Sequence, residues 1–394
     1  RYARRQALLV VTPCHNEPVD ARSSIEGGSH GNTTPMIVQA AVLAVSILLG
    51  VPMAPVSLGA RLAAASGPNL GDPGVGIHTN PNASDSPPVG VFGVERLWDT
   101  GAIWCRMNPQ PGVWDFGPLT SQLDAAAARG AVSAIVVLGF PPGHAGDRVP
   151  NPGQADWLCP EQGLATQAPS DEAWQDYLRR TVEVVAAWRT AHPLVTVHFQ
   201  VWNEPALAWF LRRDQSPQRL VELAAQARTI VQSAVPGALL LSPPMVPRTN
   251  AHRERWQQEF VTGASQWVDT HGGFLFDVWT VHVYPEGADF TEVWSGPRGY
   301  MVRIDDVMRL IGPGRRSGDQ VWITEINANI AFDAPPTQVL SEADQAAFVQ
   351  AVAQDSVLRG IPVVVWYRWH YDPWGLGNGQ IVFSGTSAAM GVWR

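Results

Sequence analysis

Short apolar runs alternate with longer amphipathic stretches along the chain from residue 74 onward. Several of the apolar runs are continuous and rich in Val and Ile. This is typical of strands that are buried on both faces of a parallel sheet. We therefore predict eight strands, at residues 75–78, 94–98, 131–139, 195–202, 238–242, 276–284, 320–325 and 362–367.

The stretches between these runs have helical periodicity. Ser170 and Ser341 precede acidic residues in the way that helix N-caps do, and Gly130 and Gly360 mark helix ends. The predicted helices span residues 118–129, 171–192, 217–234, 253–270, 297–310 and 341–359. Eight strands interleaved with helices predict an α/β fold, a single-domain (β/α)8 TIM barrel, with an open doubly wound sheet as the alternative.

Two regions depart from this pattern. Residues 79–93 are rich in Pro, Asn and Ser, so we expect the first barrel helix to be short or missing. Residues 1–70 contain an apolar run at 36–51 followed by small residues up to Ala65, as in a secretory signal. We interpret residues 1–70 as a signal or anchor with a disordered pre-segment, and residues 71–394 as the barrel. A secreted or cell-envelope location follows from this interpretation, and an uncleaved N-terminal membrane anchor is the alternative.

The charged residues exclude several functions. All 27 basic residues are Arg, so the chain cannot use a Schiff-base lysine or a phosphate-loop lysine. The formal net charge of −8 argues against binding to nucleic acid or to anionic lipid. Metal-dependent barrel hydrolases usually need a His-x-His pair after the first strand, whereas this chain has only His78 there. We expect no metal and no organic cofactor.

Two predicted strands end in a glutamate. Glu204 lies in Trp-Asn-Glu-Pro at the end of the fourth strand, and Glu325 lies in Ile-Thr-Glu at the end of the seventh. The carboxyl ends of barrel strands meet at one mouth, and two facing carboxylates there are what glycosidic bond cleavage requires. The tripeptide at residues 16–18 is also Asn-Glu-Pro, but no strand precedes it. The motif is therefore informative only in its strand context.

The set of motifs at the predicted strand ends resembles the retaining glycoside hydrolases of clan A, particularly families 5 and 39. The resemblance covers residues 74–370 and is specific as an ordered set rather than in any single piece. It is carried by Arg96, Trp114-Asp115-Phe116, Asn203-Glu204-Pro205, His282-Val283-Tyr284, Glu325 and Trp366. The resemblance implies double displacement, with Glu204 as acid/base and Glu325 as nucleophile.

The resemblance also implies roles in substrate binding, although each of these residues could instead be structural. Arg96 would orient the nucleophile, Asn203 would bind a sugar hydroxyl, and Tyr284 would hydrogen-bond Glu325. His282 would line the subsite, and Trp366 would be a stacking platform for the sugar. Two further residues at strand ends are placed for hydroxyl contacts, namely His78 and Asp99.

Cys105 and Cys159 form an even pair once Cys14 is lost with the N-terminal segment, which suggests a disulfide between two loops. We expect an oligo- or polysaccharide substrate. The nearest resemblance is to an exo-β-D-galactofuranosidase acting on galactan, and the loop at 141–169 would then enforce exo action. The alternatives are a xylosidase- or glucosidase-type hydrolase and a non-catalytic glycan-binding protein on the same scaffold.

Overall fold

The computed structural model describes residues 74–79, 87, 89–98, 100–145, 159, 168–207, 210–211, 215–247, 250–315, 319–328 and 340–369. The predicted signal or anchor segment lies outside these residues. So do Asp99 and most of the predicted loop at 141–169.

Eight parallel strands close into a barrel in chain order, so the TIM-barrel prediction is confirmed and the open sheet is excluded. The strands are β1 (Val75–Thr79), β2 (Val94–Leu97), β3 (Ser133–Leu138), β4 (Thr196–Val201), β5 (Leu240–Leu241), β6 (Val278–Val283), β7 (Gln320–Ile326) and β8 (Val364–Trp369). All eight predicted strands are present, and most of them are shorter than predicted at one or both ends.

The helices surround the barrel: α1 (Trp104–Met107), α2 (Gly117–Ala128), α3 (Asp171–Ala191), α4 (Pro217–Ala234), α5 (Ala251–His271), α6 (Phe290–Ser295), α7 (Tyr300–Ile311) and α8 (Glu342–Arg359). Ser170 and Ser341 accept backbone hydrogen bonds as N-caps, and Gly360 ends α8 in the left-handed conformation. The predicted helix at 297–310 is shorter, and an unpredicted α6 precedes it. None of the described helices has the length and apolar character that crossing a membrane requires.

The prediction of a short or missing first helix concerns the connection between β1 and β2. Among its described residues, 87 and 89–93, none is helical, and residues 80–86 and 88 lie outside the described part of the chain. The short helix α1 after β2 was not predicted, since four residues give no readable period.

The strand side chains divide into two layers. One buried cluster contains only residues of the strands and their edges, including Val94, Trp322 and Val365, and it fills the barrel interior. The larger cluster lies between the strands and the helices. The interior is narrow at Gly76, where an added Cβ would lie 2.8 Å from the carbonyl oxygen of Val94. A side chain at that position would push neighbouring strands apart.

Strand β7 contains a β-bulge near its carboxyl end. One step along β6, from Val281 to His282, corresponds to two steps along β7, from Ile323 to Glu325. The pairing with β8 shows one extra residue in the same part of β7. A bulge interrupts the strict alternation of faces, so both Thr324 and Glu325 can point towards the barrel axis.

Candidate active site

Glu204 and Glu325 lie together at the carboxyl-terminal mouth of the barrel. A carboxylate oxygen of each glutamate and a ring nitrogen of His282 lie within 4.8 Å of one another. The glutamates are 8% and 4% exposed. Topology brings them together, because β4 and β7 end at the same face of a closed barrel. The spatial arrangement expected from the two strand-end motifs is therefore present.

The backbone that leads to Glu204 is strained. Among the described residues, the non-glycine positions with positive φ are Phe140 (59°), Trp202 (59°) and Glu204 (39°), which follow β3 and β4. Each such conformation costs about 1–3 kcal/mol and persists only where its surroundings impose it. The Trp202 ring lies so close to Gly139 that a Cβ there would be 2.9 Å from a ring atom. Trp202 also donates its indole N–H to the carbonyl of Phe210 at 2.7 Å. Packing thus fixes the turn that presents Glu204.

Positive charge and a phenol hold Glu325. The Nη1 atom of Arg96 donates to Oε1 of Glu325 at 2.5 Å, and the hydroxyl of Tyr284 donates to Oε2. Burial raises the pKa of Tyr284 well above its ordinary value, with further contributions from the charges of Glu325, Glu204 and Tyr367, so the phenol stays a donor. Both oxygens of Glu325 therefore accept hydrogen bonds from groups that the fold holds in place.

Arg96 organises the floor of the site. It is fully buried, and its guanidinium donates to three partners that lie on or just after two strands, β4 and β7. Nε donates to Gln200 at 2.6 Å, Nη2 to Asn203 at 2.7 Å, and Nη1 to Glu325. His78 lies 3.3 Å from Nη1. A rigid five-donor fork is suited to fixing several strands at once.

Glu204 has a different environment. Its Oε1 lies 2.7 Å from Nδ1 of His282. Burial raises the pKa of Glu204 to about 8, and the nearby Glu325 carboxylate contributes to this, while Arg96 and Arg253 act in the opposite direction. Burial also lowers the pKa of His282 well below its ordinary value, helped by the charges of Arg96 and His78. Glu204 is thus a neutral acid beside a neutral imidazole at neutral pH.

Hydrogen bonds assign the proton of that imidazole. Arg96 only donates, so the Gln200 side chain turns its oxygen to Arg96 and its NH2 group to the hydroxyls of Thr280 (2.8 Å) and Thr324 (3.2 Å). The Thr324 hydroxyl accepts from Gln200 and lies 3.1 Å from Nε2 of His282, and we assign its proton to that contact. This assignment leaves the ring proton on Nδ1, which donates it to Glu204. This chain of hydrogen bonds runs from Arg96, which binds Glu325, to Glu204.

The residues predicted to bind substrate differ in their burial and in their contacts. His78, Arg96 and His282 are fully buried and lie within 4 Å of carboxylate oxygens of the two glutamates, so they can position these carboxylates. Their predicted contacts with a sugar stay predictions. Asn203 is nearly as buried, and its bond to a sugar hydroxyl stays a prediction. Tyr284 bonds Glu325 as expected.

The prediction for Trp366 is wrong. Its side chain is 0% exposed and belongs to the cluster between strands and helices, with its ring centroid 6.3 Å from that of Phe348 on α8. Val363 and Val365 point into the barrel, so by the period of two the next inward residue is Tyr367. The half-buried Tyr367 ring lies 5.0 Å from His78 and 6.4 Å from Tyr284. Sequence analysis missed Tyr367, although its spacing from the two valines was a usable signal.

The remaining candidates are not part of this cluster. Asp99 lies outside the described residues. The structure joins Cys105 to Cys159 by a disulfide with a Cα–Cα distance of 6.0 Å. This bond attaches residue 159 of the long loop after β3 to helix α1. The backbone N–H of Cys105 also donates to the carbonyl of Phe140 at 3.0 Å.

Glu204, His282 and Glu325 are the residues that could hold a metal ion at this mouth, since their ligand atoms are within mutual reach. The donor set suits a cation poorly. Arg96 already occupies one oxygen of Glu325, and its charge would oppose a metal ion at that position.

No protein-family model matches the chain, and no curated protein matches it. Among solved structures it is similar to a glucosidase from Croceicoccus marinus, with a TM-score of 0.55 and 14% identity over 81% of this chain and 65% of that one. It is also similar to the GH39 enzyme from Xanthomonas axonopodis pv. citri, with a TM-score of 0.51 and 18% identity over 71% of this chain and 52% of that one.

A third similar structure is CelM2, a bifunctional glucanase-xylanase from a metagenome library. Its TM-score is 0.51, with 12% identity over 76% of this chain and 74% of that one. The matched region spans less than two thirds of the first two proteins. All three structures are glycoside hydrolases, and at these identities the similarity establishes the shared barrel fold.

Proposed function

We propose that this protein is a retaining glycoside hydrolase in which Glu204 is the acid/base and Glu325 the nucleophile. The observation that carries the proposal is the pair itself. Two carboxylates face each other at the barrel mouth, one held by an arginine and a phenol and the other by a neutral histidine. Such opposite environments divide the roles of base and acid between two chemically identical groups.

The chemistry follows from these environments. The ionised Glu325 attacks the anomeric carbon and forms a glycosyl–enzyme ester, while the proton of Glu204 passes to the departing oxygen. Glu204, now a carboxylate, removes a proton from water, and the hydroxyl oxygen attacks the anomeric carbon and releases Glu325. His282 and Arg96 hold the two carboxylates through both steps.

The separation of the carboxylates supports retention of configuration. Retaining enzymes place the two carboxyl groups about 5–5.5 Å apart, whereas inverting enzymes leave about 6.5–9.5 Å for a water molecule. Here one oxygen of each glutamate lies within 4.8 Å of the other, and this close approach agrees with the shorter, retaining separation.

The substrate that we propose is a cell-wall or extracellular glycan. The similar structures named as a glucosidase and as a glucanase-xylanase agree in kind with this class. Within the class we favour exo-acting hydrolysis of β-D-galactofuranosides, with xylosides and glucosides as alternatives, on the sequence resemblance alone. The apolar run at 36–51 supports a secreted or envelope location.

The test is hydrolysis of nitrophenyl galactofuranoside, xyloside, glucoside and arabinofuranoside by the wild type, Glu204→Gln and Glu325→Gln. We expect one glycoside to be cleaved with its anomeric configuration retained, as followed by NMR of the first product. Each variant should lower kcat by at least about 10⁴-fold on a substrate with a poor leaving group. With the activated nitrophenyl leaving group, Glu204→Gln should accumulate the glycosyl–enzyme, detectable by mass spectrometry, because the departing phenolate needs no proton.

Inverted product would overturn the retaining mechanism. A near wild-type rate for either variant would remove that residue from its role. Tight binding of glycans without release of any nitrophenol would identify a binding protein on a hydrolase scaffold instead.

A further inference from the structure

A buried glutamine lies inside the barrel below the two carboxylates. Gln200 is on strand β4, shortly before Glu204, and its side chain is fully buried. A buried amide is costly unless both of its ends are hydrogen-bonded. Its oxygen accepts from Nε of Arg96 at 2.6 Å, and its nitrogen lies 2.8 Å and 3.2 Å from the hydroxyls of Thr280 and Thr324. The amide thus links strand β4 to strands β2, β6 and β7.

The orientation of this amide is fixed at both ends. Arg96 has only donors, so it requires the oxygen of Gln200. At the other end, the Thr280 hydroxyl lies 2.7 Å from the carbonyl oxygen of Ser242, which only accepts, so the hydroxyl donates its proton there. Thr280 must then accept from the nitrogen of Gln200. A reversed amide would place two donors together at one end and two acceptors at the other.

The same nitrogen sets the role of Thr324. The NH2 group of Gln200 has two protons, and it donates to the Thr324 hydroxyl as well as to Thr280. The Thr324 oxygen is therefore an acceptor on this side, and its own proton is directed to Nε2 of His282 at 3.1 Å. Nε2 is then an acceptor, and Nδ1 carries the ring proton. The direction of the amide thus determines the tautomer of a histidine two contacts away.

The other ring nitrogen faces both glutamates. Nδ1 of His282 lies 2.7 Å from Oε1 of Glu204 and 3.5 Å from Oε2 of Glu325. The charges of Arg96 and His78 also act on the ring. A proton on Nδ1 suits this position, because it is donated to Glu204 and is attracted by the ionised Glu325. An unprotonated Nδ1 would instead accept the proton of Glu204, which would then point at the histidine and not at the leaving group.

We propose that Gln200 is a positioning residue for the acid/base. Through Thr324 its amide keeps the ring proton of His282 on Nδ1, which leaves the proton of Glu204 for the glycosidic oxygen. The amide also holds Nε of Arg96, whose Nη1 binds the nucleophile, so one side chain orients both catalytic carboxylates. Because it is fully buried, it does this without touching the substrate. The proposal rests on the proposed function and adds to it the residue that directs the acid.

The test is Gln200→Glu, which keeps the shape and the oxygen that Arg96 requires but replaces the N–H donors with an acceptor. The Thr324 hydroxyl should then donate to the new carboxylate, and Nε2 of His282 should become protonated. Nitrogen NMR distinguishes protonated from unprotonated ring nitrogens, and the His282 signals are identified by their absence in His282→Gln. The wild type should show a protonated Nδ1 and an unprotonated Nε2, whereas Gln200→Glu should show a protonated Nε2.

The rate should follow this signal. In Gln200→Glu, kcat/KM for the methyl glycoside should fall about tenfold more than kcat/KM for the nitrophenyl glycoside of the same sugar, the effect of losing one hydrogen bond to a charged group. Only the methyl glycoside needs the proton of Glu204, so damage to packing alone would lower both values equally.

Gln257→Glu is the matched control for burying a carboxylate. Gln257 is also fully buried, and its amide bonds the backbone N–H and carbonyl of Val246 at 2.8 and 3.1 Å, outside the hydrogen-bond network of the site. This variant meets the same cost of a buried carboxylate, yet Nε2 of His282 should stay unprotonated.

Thr324→Val tests the route of the effect. In that background, exchanging Gln200 for Glu should no longer change Nε2 of His282, because the hydroxyl that carries the effect is absent. An equal change with and without the hydroxyl would overturn the proposal, as would an unprotonated Nε2 in folded Gln200→Glu. A protonated Nε2 in the wild type would overturn it even if Gln200→Glu did not fold.

The NMR measurement needs no turnover, so it separates this proposal from the proposed function. Failure of the wild type to cleave any glycoside would overturn the proposed function, and with it the catalytic role of Gln200, even with the ring proton placed as expected.

Discussion

Strand β2 places two charged residues side by side on opposite faces of the barrel wall, and their surroundings differ. Glu95 points outward, where Arg129 of the α2 end donates to both of its oxygens at 2.7 and 2.6 Å and Thr79 adds a third bond. Arg96 points inward and donates to three groups that lie on or just after two other strands, β4 and β7. Both side chains are almost fully buried.

The difference separates a structural ion pair from a reactive one. Behind the wall, one carboxylate meets one arginine, and both charges are matched. At the mouth, one arginine binds directly to only one of two adjacent carboxylates. Glu204 has no such cationic partner, so burial and the neighbouring charge of Glu325 favour its protonated, neutral form. A buried cluster with more carboxyl groups than cations therefore keeps one carboxyl group protonated, and that group can act as an acid.

Among the variants that test this comparison, Arg96→Met, which removes the inward arginine, should have the largest effect. Without it Glu325 loses a hydrogen bond of 2.5 Å and its counter-charge. We expect kcat/KM to fall by about 10²–10³-fold. The activity on the best nitrophenyl glycoside measures this. Glu95→Gln is the matched control from the next position of the strand, and it should keep kcat/KM within about threefold of the wild type.

Breaking the outward ion pair between Glu95 and Arg129 should lower the stability of the fold and leave the activity almost unchanged. Glu95→Gln leaves the guanidinium of Arg129 without its negative partner, so the free energy of unfolding should fall by about 3 kcal/mol. Urea denaturation followed by tryptophan fluorescence measures this. The double variant with Arg129→Met should recover part of the loss. Unchanged stability in Glu95→Gln would contradict a structural role for the outward ion pair.

Glu204→Gln should stabilise the fold in a pH-dependent way. The unfolded chain releases this proton near pH 4.5, whereas the folded protein keeps it up to about pH 8. Between these values unfolding releases a proton, so the stability contributed at this position decreases as pH rises. Glu204→Gln should therefore match the wild type at pH 4 and exceed it by on the order of 2 kcal/mol at pH 8.

Thermal melting at pH 4, 6 and 8 tests this prediction. Glu183→Gln, at an exposed position of α3, is the control and should follow the wild type at every pH. A constant difference between Glu204→Gln and the wild type would contradict the raised pKa.

The smallest effect concerns the hydrogen-bond chain between the two sides of the mouth. Thr324→Val removes the hydroxyl that donates to Nε2 of His282, so Nδ1 no longer has to carry the ring proton. Ionised Glu204 then loses a donor, and its pKa should rise. We expect kcat to fall about three- to tenfold and the basic limb of the pH–rate profile to move to higher pH. Thr324→Ser keeps the hydroxyl and should restore both; a fall in rate without the pH change would indicate damage to packing alone.

Most of the fold could be predicted from the sequence, for reasons visible in particular elements. Buried parallel strands are continuous apolar runs, so the apolar pattern alone was enough to locate β3. The cap at Ser170 and the left-handed Gly360 marked helix ends for local reasons. The predicted helix at 297–310 is separate from α6 because Gly296 and Pro297 interrupt the helical stretch between them.

The sequence by itself determined the order of strands and helices and the two strand-end glutamates, because both are properties of short segments. Only the tertiary structure decided which side chains meet. The bulge in β7 turns Thr324 and Glu325 to the same side, and the register of β8 sends Trp366 outward and Tyr367 inward. A shift of one residue reverses the face of every later side chain in a strand, and that shift is set by pairing with neighbouring strands. The proton on Glu204 likewise exists only after burial beside Glu325, since an isolated glutamate in water would be ionised.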